Sequence, residues 1–518
     1  ASDALLLLPK VAEVEFQEAK EQLRDSEAAY FYHASYLDGL LQGQISEAEA
    51  KAARNENCPF DRKNLVTFTV RGYLQALQRG TKRVHFILNR VLQLAWECCE
   101  VDFYKADVNS ELASEGRRLM PWMWYTVLSQ LISRALHPDM RQVFREIIKS
   151  VVVSFPDPAG WHLMQLLKSD DKVHQQLGKE LLSDVGRQDR ELHTLFAQRT
   201  RIAEDLISLA NSNGQDVLRL SKTFPRLAAV QSSRSEKWRV LVPLQSQMTA
   251  TIPRMNSAEQ LRMAKPRGFF PEAILTERCL EHVEVFRSKE KPKKLTFLGS
   301  DGQQYPFLCK AEKRGDLRKD SRLMEFAVMV NQLLAKSPDA NRRNLEVRTF
   351  QVVILSEKCG LIEWVPNTKG LRPLIDDLWK GRRQTLNEVK EIMDRSKDPY
   401  ETFTRQVVPR NPPILHRWFA RSGDPSAWLA KRTLFSQSQA LWCMLGYLVG
   451  LGDRHGENIL LDTESGRMVH VDFDCLFGKG GNSVSGLPAL VKGPIPVIMR
   501  VAIGVQPSGV VETFPHMQ

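Results

Sequence analysis

The fold is decided by residues 450–475, which read GLGDRHGENILLDTESGRMVHVDFDC. Two short apolar runs, 459–461 and 468–471, flank a Ser-Gly pair, and this pattern predicts two strands joined by a tight turn. Such a hairpin holds Asn458 on one arm close to Asp472 on the other. A charged surface turn between core strands is the alternative. Clustered metal- and proton-binding groups walled by apolar residues favour a nucleotide-phosphate site instead.

The polar side chains of this stretch have spacings typical of phosphoryl transfer. Asp453 and Asn458 show the D-x-x-x-x-N spacing that protein kinases use for a catalytic base and a magnesium ligand. Asp472 stands where the second metal-binding Asp belongs. The order Asp-Arg-His, which ends at His455, reverses the usual His-Arg-Asp, and Asp474 replaces the usual Gly. The combination indicates phosphoryl transfer of an atypical kind.

The composition is that of an ordinary globular protein. The 518 residues are 43% hydrophobic and 26% charged, a size and balance that allow about three domains with ample core. No run reaches the apolar length of a membrane span, so no membrane contact is expected. The first residues, ASDALLLLPK, lack the basic leader of a signal or transit peptide. Because the chain starts at Ala, we expect a fragment.

Cysteine usage and net charge further limit the kinds of site and the cellular compartment that we expect for this protein. None of the 8 cysteines forms a C-x-x-C pair, which disfavours zinc and a disulfide framework and indicates a reducing compartment. The formal charge of +11 is spread thinly. Its densest cluster, residues 287–294, is interpreted as a solvated linker that leads into a strand. No direct nucleic-acid site is therefore predicted.

The first two hundred residues have helical periodicity. Residues 64–79 and 84–98 form a predicted helical pair broken at Gly80, and residues 140–152 repeat apolar side chains at i, i+3 and i+4. Another helix is predicted to start after residues 158–160, which begin with Pro158 and end with Gly160. Antiparallel helical pairs predict an α-solenoid of the tetratricopeptide kind, whose aromatic residues belong to the core and whose surface can bind a partner.

A candidate phosphate-binding hairpin begins the β-containing part. Strands are predicted at 295–298 and 305–310 around a Gly-rich turn that includes Gly299 and Ser300. Backbone N–H groups of such a turn can lie over phosphates, with Lys310 projecting from the return strand. A Gly-rich turn alone is weak evidence, and the Lys together with the later catalytic stretch strengthens it.

A helix over 316–335 is predicted next. It carries Asp320 and Glu325, either of which is a candidate ion-pair partner that holds Lys310 toward the phosphates. An ordinary amphipathic helix with solvated charges is the alternative.

Two more strands, 347–355 and 360–365, occupy the position of a hinge between two kinase lobes. Backbone groups of Glu363 and Val365 would bind adenine there, and Trp364 offers a stacking face. Two helices of the second lobe are predicted after the hinge, at 371–395 and 426–449.

Four segments together resemble the phosphatidylinositol 3-kinase-related protein kinases, and within them the checkpoint-kinase branch. They are KPKKLTFLGSDG, CKAEKRGDLRKDSRLMEF, CGLIEWVPNTKGLRP and GYLVGLGDRHGENILLDTESGRMVHVDFDCLF. The helices before them resemble the FAT domain that precedes the kinase in this family. The resemblance implies an α+β chain in which an all-α helical-repeat solenoid precedes a bilobal kinase domain. That domain has a β-rich N-lobe and a helical, incomplete C-lobe. The predicted segments are a FAT-like domain (1–205), a linker (206–237), the N-lobe and hinge (238–365), the C-lobe (366–480) and a divergent tail (481–518).

The resemblance also implies a function. It is that of a nuclear serine/threonine protein kinase that uses ATP with Mg²⁺, or Mn²⁺ as the alternative ion. The family phosphorylates Ser or Thr followed by Gln in DNA-damage and replication-stress checkpoint signalling, and a regulatory subunit accompanies these kinases. Carried onto matching positions, Asp453 is the catalytic base and His455 stabilises charge on the transferred phosphoryl group. Asn458 and Asp472 hold the metal. The implied nucleotide-binding residues are Gly299, Ser300, Lys310 with its partner Asp320, Glu363, Val365, and Trp364 with Leu460 on either side of adenine.

Three features depart from the family pattern. Lys310 and Asp320 lie farther apart than usual, and Asp474 replaces an Asn. After Lys479 the sequence no longer aligns, so we expect a tail that is disordered or mis-spliced, a missing part of the C-lobe and an inactive isolated chain. Two alternatives stay open: a non-catalytic helical interaction fragment, and a lipid (phosphoinositide) kinase. A lipid kinase would have a basic loop after the metal-binding Asp, whereas residues 476–485 contain one Lys.

Overall fold

The fold changes along the chain from helices to a sheet and then to mixed structure, as the periodicity predicts. We describe a computed structural model. It covers residues 2–42, 62–99, 105–212, 217–228, 240–252, 254–264, 269–288, 290–312, 315–379 and 386–477. Two compact units result: the first unit is Ala1–Ala311 with Val353–Ile362, and the second unit is Glu312–Val352 with Glu363–Gln518. The predicted tail 481–518 lies outside the described residues.

Helices build the first part of the first unit. They are α1 (Ser2–Gln22), α2 (Glu27–Leu41), α3 (Arg62–Leu77), α4 (Val84–Cys99), α5 (Lys105–Ser114), α6 (Pro121–Tyr125), α7 (Leu128–Arg134), α8 (Pro138–Ser154), α9 (Pro156–Leu167), α10 (Lys172–Gln188) and α11 (Arg190–Asn211). Helices α3 and α4 confirm the predicted pair on either side of Gly80. Side-chain oxygens of Asp171 and Asp189 cap the N-termini of α10 and α11, which satisfies backbone N–H groups that have no partner within the helix.

Helix α9 corrects one predicted boundary. It starts at Pro156 and includes Pro158 and Gly160, which were expected to precede it. Proline is compatible with the first helical turn because N–H groups there have no partner within the helix. Gly160 is buried, and a Cβ atom at this position would lie 1.6 Å from a guanidinium nitrogen of Arg199. The glycine therefore serves close packing inside a helix.

Aromatic side chains connect these helices to the segment that follows. Trp161 donates its indole N–H to the carbonyl of Leu241 (2.9 Å), and the hydroxyl of Tyr125 donates to the carbonyl of Met248 (2.7 Å). Trp122 is buried against Phe269 in a stacked pair. The interpretation of the solenoid's aromatic residues as core is confirmed for these side chains.

A sheet completes the first unit. Its strands are β1 (Val217–Arg219), β2 (Thr276–Cys279), β3 (His282–Val285), β4 (Lys293–Gly299), β5 (Gln304–Ala311), β6 (Val352–Ser356) and β7 (Cys359–Glu363). The order is β1-β3-β4-β5-β7-β6, and β2 also pairs with β4. Four short helices accompany it: α12 (Leu220–Thr223), α13 (Pro225–Ala228), α14 (Gln245–Met248) and α15 (Ala258–Met263). The predicted hairpin is confirmed, with Lys293 opposite Cys309 and Leu298 opposite Gln304.

Helix α11 packs directly on this hairpin. The ammonium of Lys293 donates to the carbonyl of Ala210 (2.6 Å), and the thiol of Cys309 donates to the carbonyl of Leu206 (3.2 Å). The range 206–237, predicted as a linker, therefore begins inside a helix and continues through β1, α12 and α13. The other predicted domain boundaries stay predictions.

The second unit contains the remaining elements. They are α16 (Leu317–Lys336), α17 (Pro338–Arg342), β8 (Thr368–Gly370), α18 (Leu371–Trp379), α19 (Leu386–Asp394), α20 (Pro399–Thr402), a π-helical turn (Phe403–Val407), α21 (His416–Ala420), α22 (Pro425–Leu448), β9 (Ile459–Asp462) and β10 (Met468–His470). The strands form a sheet of order β10-β9-β8. The predicted hairpin around the Ser-Gly turn is confirmed, with Leu460 opposite Val469. Among the described residues, no helix is both long and apolar enough to cross a bilayer.

One strand starts later than its sequence predicts. The run 347–355 was predicted as one strand, but β6 begins only at Val352. The side chain of Asn331 on α16 binds both backbone groups of Val347, accepting from its N–H (2.8 Å) and donating to its carbonyl (2.7 Å). Those groups are unavailable to a strand neighbour.

Candidate active site

Near each end of the stretch 450–475, one residue has a backbone conformation that non-glycine residues rarely adopt. Asp453 has φ +54° and Asp472 has φ +62°, and left-handed backbone at such non-glycine residues costs roughly 1–3 kcal/mol each. The N–H of Gly452 donates to the carbonyl of Cys475 at 2.8 Å. The two ends of the stretch therefore lie side by side, and the surrounding structure has to maintain both strained residues.

The hairpin brings Asn458 and Asp472 together, as its pattern predicts. The N–H of Val471 donates to the carbonyl of Asn458 at 3.0 Å. The side-chain amide of Asn458, which is 7% exposed, donates to the carbonyl of Asp453 at 3.1 Å. Because the amide nitrogen is used in this way, the amide oxygen is the atom left to act as a ligand. With the carboxylate of Asp472 it offers the hard oxygen donors that Mg²⁺ prefers, so the residues fit such an ion.

The ring of His455 has a defined tautomer. The N–H of Glu457 donates to Nδ1 of His455 at 3.2 Å, so Nδ1 is unprotonated and the proton of the neutral ring is on Nε2. Gly456, between these residues, accepts from the backbone N–H of Arg372 at 2.7 Å. A Cβ at Gly456 would lie 3.1 Å from that nitrogen, so a larger residue would push the turn away from Arg372.

Arg454 holds the loop and was not identified from the sequence. Its side chain is buried, with 5% of the residue exposed. The guanidinium donates to the carbonyls of Gly452 (2.9 Å), Val471 (2.8 Å) and Asp472. Burial lowers the pKa of Arg454, and the nearby carboxylates, Asp472 first, oppose that shift. One cation therefore joins the segment before Asp453 to the segment that carries Asp472.

Aromatic rings form a rigid support beneath the hairpin. Trp442 of α22 stacks on His470 with centroids 4.5 Å apart and an interplanar angle of 4°, and its indole N–H donates to the carbonyl of Met468 at 3.3 Å. Burial, with a further contribution from the charge of Arg454, holds the pKa of His470 well below its usual range. The ring is thus neutral. Phe473 is fully buried next to the same indole.

The first turn of α16 contacts the metal-binding segment. The carboxylate of Asp320 accepts from the N–H of Phe473 at 3.3 Å. The ammonium of Lys319 donates to the carbonyl of Asp474 (2.9 Å) and lies 3.4 Å from its carboxylate. Asp474, which replaces an Asn of the family pattern, is therefore paired with the Lys319 cation. The pairing of Asp320 with Lys310 stays a prediction.

The turn of the hairpin is closed by a buried carboxylate. Asp462 accepts from the N–H groups of Glu464 (2.9 Å) and Ser465 (3.1 Å) and forms an ion pair with Arg348. Burial alone would raise the pKa of Asp462, but these N–H groups and the Arg348 cation lower it overall. Asp462 stabilises the register that presents Asn458.

In the predicted hinge, some backbone groups already have partners. The N–H of Glu363 donates to the carbonyl of Gln351 (2.8 Å), and the carbonyl of Val365 accepts from the hydroxyl of Thr368 (2.8 Å). Both of these groups are therefore engaged within the protein, and the role of Glu363 and Val365 in binding adenine stays a prediction. Trp364 and Leu460 are both half-buried in this unit, and their stacking role stays a prediction.

The Gly-rich turn of the first unit differs from the expected N–H cradle. The N–H of Gly299 donates to the carbonyl of Gln303, and the N–H of Ser300 donates to the carbonyl of Leu275, both at 2.8 Å. Neither N–H is available to a phosphate in this conformation, because the turn uses both to close itself and to join β2. The Ser300 hydroxyl oxygen accepts from the N–H of Leu275 (3.1 Å) and keeps its proton as a donor. Lys310 is half-buried on β5.

Two family models match the chain. One, described as phosphatidylinositol 3- and 4-kinase, matches residues 304–497, and the other, described as serine/threonine-protein kinase ATR-like, HEAT repeats, matches residues 107–203. The chain is 35% identical over 437 residues to serine/threonine-protein kinase ATR of Oryza sativa subsp. indica, covering 79% of this chain and 16% of the rice protein. It is 34% identical over 507 residues to ATR of Arabidopsis thaliana, covering 89% of this chain and 18% of that protein. The chain therefore carries ATR-like HEAT repeats followed by a kinase domain of the phosphatidylinositol 3-kinase-related type.

Solved structures with low sequence identity to this chain share its fold. The FAT and kinase domain of CtTel1 superposes with a TM-score of 0.71 at 19% identity, covering 99% of this chain and 38% of that one. The helical repeats therefore precede a kinase domain, as predicted, although the matching repeat model is of the HEAT class and not the tetratricopeptide class. The kinase match continues to residue 497, into the stretch 481–518 that was expected to be divergent. The chain spans 16–18% of the length of these two plant relatives.

Proposed function

We propose that the protein carrying this chain is an ATR-type serine/threonine protein kinase, which transfers the γ-phosphate of ATP to Ser or Thr followed by Gln. The observation that carries the proposal is the fixed triad of Asp453, His455 and Asn458 beside Asp472. Relatives with this kinase domain are named serine/threonine-protein kinases, and kinases of this type use ATP with a divalent metal. The ion proposed here is Mg²⁺, with Mn²⁺ as the alternative.

The roles follow from the atoms that each residue has available. The exposed Asp453 carboxylate accepts the proton of the attacking hydroxyl, while its carbonyl fixes the Asn458 amide. The Nε2–H of His455 donates to a phosphoryl oxygen, where negative charge develops in the transition state. Asn458 and Asp472 would hold Mg²⁺, which neutralises phosphate charge when it is bound. Lys310 would add a further positive charge at the α- and β-phosphates.

Pre-organisation is the protein's main contribution in this proposal. Phosphoryl transfer needs little covalent chemistry from side chains, so the rate depends on positioning and fixed charges. The strained Asp453 and Asp472 are held in place by Arg454 from within and by the first turn of α16 from outside. The catalytic loop therefore needs little further conformational change when substrate binds.

The test assays the complete protein with labelled ATP, Mg²⁺ and a Ser-Gln peptide, beside the same peptide with Ala in place of Ser. We expect Asp453→Asn to lower kcat by about 10²–10⁴-fold, the range for loss of a general base. The control is Glu464→Gln, an exposed acidic side chain in the turn of the same hairpin, which should leave kcat unchanged. Unchanged turnover in Asp453→Asn would refute the assignment. Transfer to phosphoinositide vesicles and not to peptide would establish the lipid-kinase alternative.

Checkpoint signalling after DNA damage and replication stress, nuclear localisation and an ATRIP-like regulatory subunit belong to the same proposal. Their support is the similarity to ATR, rad3 and MEC1 kinases. Co-purification of the complete protein with such a subunit from nuclear extract is expected, and a protein confined to the cytosol would contradict the localisation.

A further inference from the structure

Three side chains of types that bind metals meet in the helical part of the first unit, and one of them, Cys99, is distant in sequence from the other two. Cys99 is the last residue of α4, His137 immediately precedes α8, and Asp139 is in the first turn of α8. One donor atom from each lies within 4.8 Å of the other two. Nδ1 of His137 is 3.5 Å from a carboxylate oxygen of Asp139. These residues play no part in the proposed phosphoryl transfer.

The backbone around these donors is fixed by local contacts. The N–H of His137 donates to the carbonyl of Arg134 (3.0 Å). The carbonyl of Asp139 accepts from the side chain of Asn109 on α5 at 2.8 Å. The edge of the Trp96 ring packs against the imidazole with centroids 5.6 Å apart. The imidazole and the Asp139 backbone are thus held from two different helices, an arrangement that suits a pre-organised metal site.

Burial of the cluster is uneven in a way that suits a bound ion. Cys99 is 8% exposed, whereas the side chains of His137 and Asp139 are 29% and 30% exposed. Nδ1 of His137 is itself buried and has no hydrogen-bond partner among the residues that the structure describes. An imidazole nitrogen of this kind offers its lone pair to a metal. The more exposed side of the cluster leaves room for a water ligand.

The donor set selects the class of metal. A thiolate is a soft ligand that Mg²⁺ and Ca²⁺ do not favour, whereas Zn²⁺ binds Cys, His and Asp together. Tetrahedral Zn²⁺ with bonds of about 2.0–2.3 Å places its donor atoms roughly 3.3–3.8 Å apart. The His137–Asp139 separation of 3.5 Å already has this value. For the widest pair, at no more than 4.8 Å, rotamer adjustment of about 1 Å suffices.

We infer that Cys99, His137 and Asp139 bind one Zn²⁺, with water as the fourth ligand. Binding forms the sulfur–zinc bond and releases the thiol proton of Cys99 to solvent, with no change of oxidation state. The ion connects the C-terminal end of α4 to the N-terminal end of α8. It acts as a structural cross-link within the helical repeats and is independent of the proposed kinase activity.

The test uses the intact chain, stripped of metal and titrated with Co²⁺ as a spectroscopic substitute for Zn²⁺. We expect one equivalent to bind with a thiolate-to-cobalt charge-transfer band in the near ultraviolet. Cys99→Ser should abolish the band and weaken binding by at least about 100-fold, since even outer-shell changes cost 10–100-fold. Cys98→Ser is the matched control, because Cys98 is the adjacent buried thiol and is not part of the cluster. It should keep the band.

A second measurement covers variants that change folding. Chelation should lower the Tm of the wild-type chain and of Cys98→Ser, and restoring Zn²⁺ should recover it. His137→Gln should have the lower Tm from the start and show no response to chelator or Zn²⁺. A wild-type chain that binds no Co²⁺, or Cys99→Ser binding Co²⁺ as tightly as wild type, would overturn the inference. An unchanged wild-type Tm after chelation would do the same.

Discussion

Arg454→Lys should release the catalytic loop from its internal support. The guanidinium donates closely to three carbonyls, those of Gly452 and Val471 at 2.9 and 2.8 Å and that of Asp472, and more distantly to the carbonyl of Asn458 at 3.5 Å. A lysine ammonium is a single point charge and cannot span all three. Two of the hydrogen bonds are expected to be lost, and leaving buried carbonyls unpaired costs roughly 1–3 kcal/mol each. We therefore expect the loop to open more easily by about 3 kcal/mol, or about 100-fold in the opening equilibrium.

Native-state hydrogen exchange measures this opening directly. Two reporter amides lie inside the loop: Val471 N–H, bound to Asn458, and Gly452 N–H, bound to Cys475. Both should exchange about 100-fold faster in Arg454→Lys, while amides of the β4–β5 hairpin in the first unit keep their rates. The control is Arg417→Lys, an exposed arginine of the second unit, which should change neither reporter. Unchanged exchange at both reporters in Arg454→Lys would refute the positioning role.

Three further perturbations have defined outcomes. Gly160→Ala should destabilise the first unit by about 1–3 kcal/mol, because its Cβ would collide with the buried guanidinium of Arg199, which would have to shift. Gly39→Ala, in the open interior of α2, should stabilise it by about 0.5–1 kcal/mol; equal Tm values for the two variants would contradict the packing argument. The pKa of Asp462 is lowered in the folded state. The ionised carboxylate therefore stabilises the fold fully when the pH is above the pKa of the unfolded chain, about 3.9, and this stabilisation is lost as the pH falls through the folded-state pKa. Asp462→Asn should thus unfold in less urea than wild type at pH 7, and the difference should shrink below about pH 4; a gap independent of pH would contradict the ionic role. His455→Ala should lower kcat about 10²–10³-fold with little change in the KM for ATP, and a change confined to KM would show that His455 binds nucleotide instead.

Much of the second unit could be predicted because its signals are local. The hairpin of β9 and β10 closes within a dozen residues, and alternation of apolar residues fixes its register. The left-handed Asp453 and Asp472 were not predicted, because their conformation depends on tertiary contacts such as those of their carbonyls with Asn458 and Arg454. Arg454 was overlooked for the same reason. Its only sequence signal is its position between two functional residues, and an arginine at such a position is usually solvated.

Packing overrode local signals at three other places. The Pro-rich start of α9 was interpreted as a break, although proline is tolerated in a first turn. Residues 347–351, just before β6, were predicted as strand, although Asn331 binds the backbone groups of Val347. The Gly-rich turn was predicted to present N–H groups, yet the sheet uses those of Gly299 and Ser300 for itself. For Val347 and Ser300 the deciding partner, Asn331 and Leu275 respectively, lies in another part of the chain.

By itself the sequence determined the order of helical repeats and kinase domain, and the residue types of the catalytic loop. Short-range periodicity and motif spacing encode both, because the groups concerned are separated by few residues. Only the tertiary structure decided which charges face one another. It paired Asp474 with Lys319, and it placed Cys99 beside His137 and Asp139, where cysteine spacing alone had disfavoured zinc. Contacts between distant residues depend on the packing of whole elements, and no local pattern in the chain specifies them.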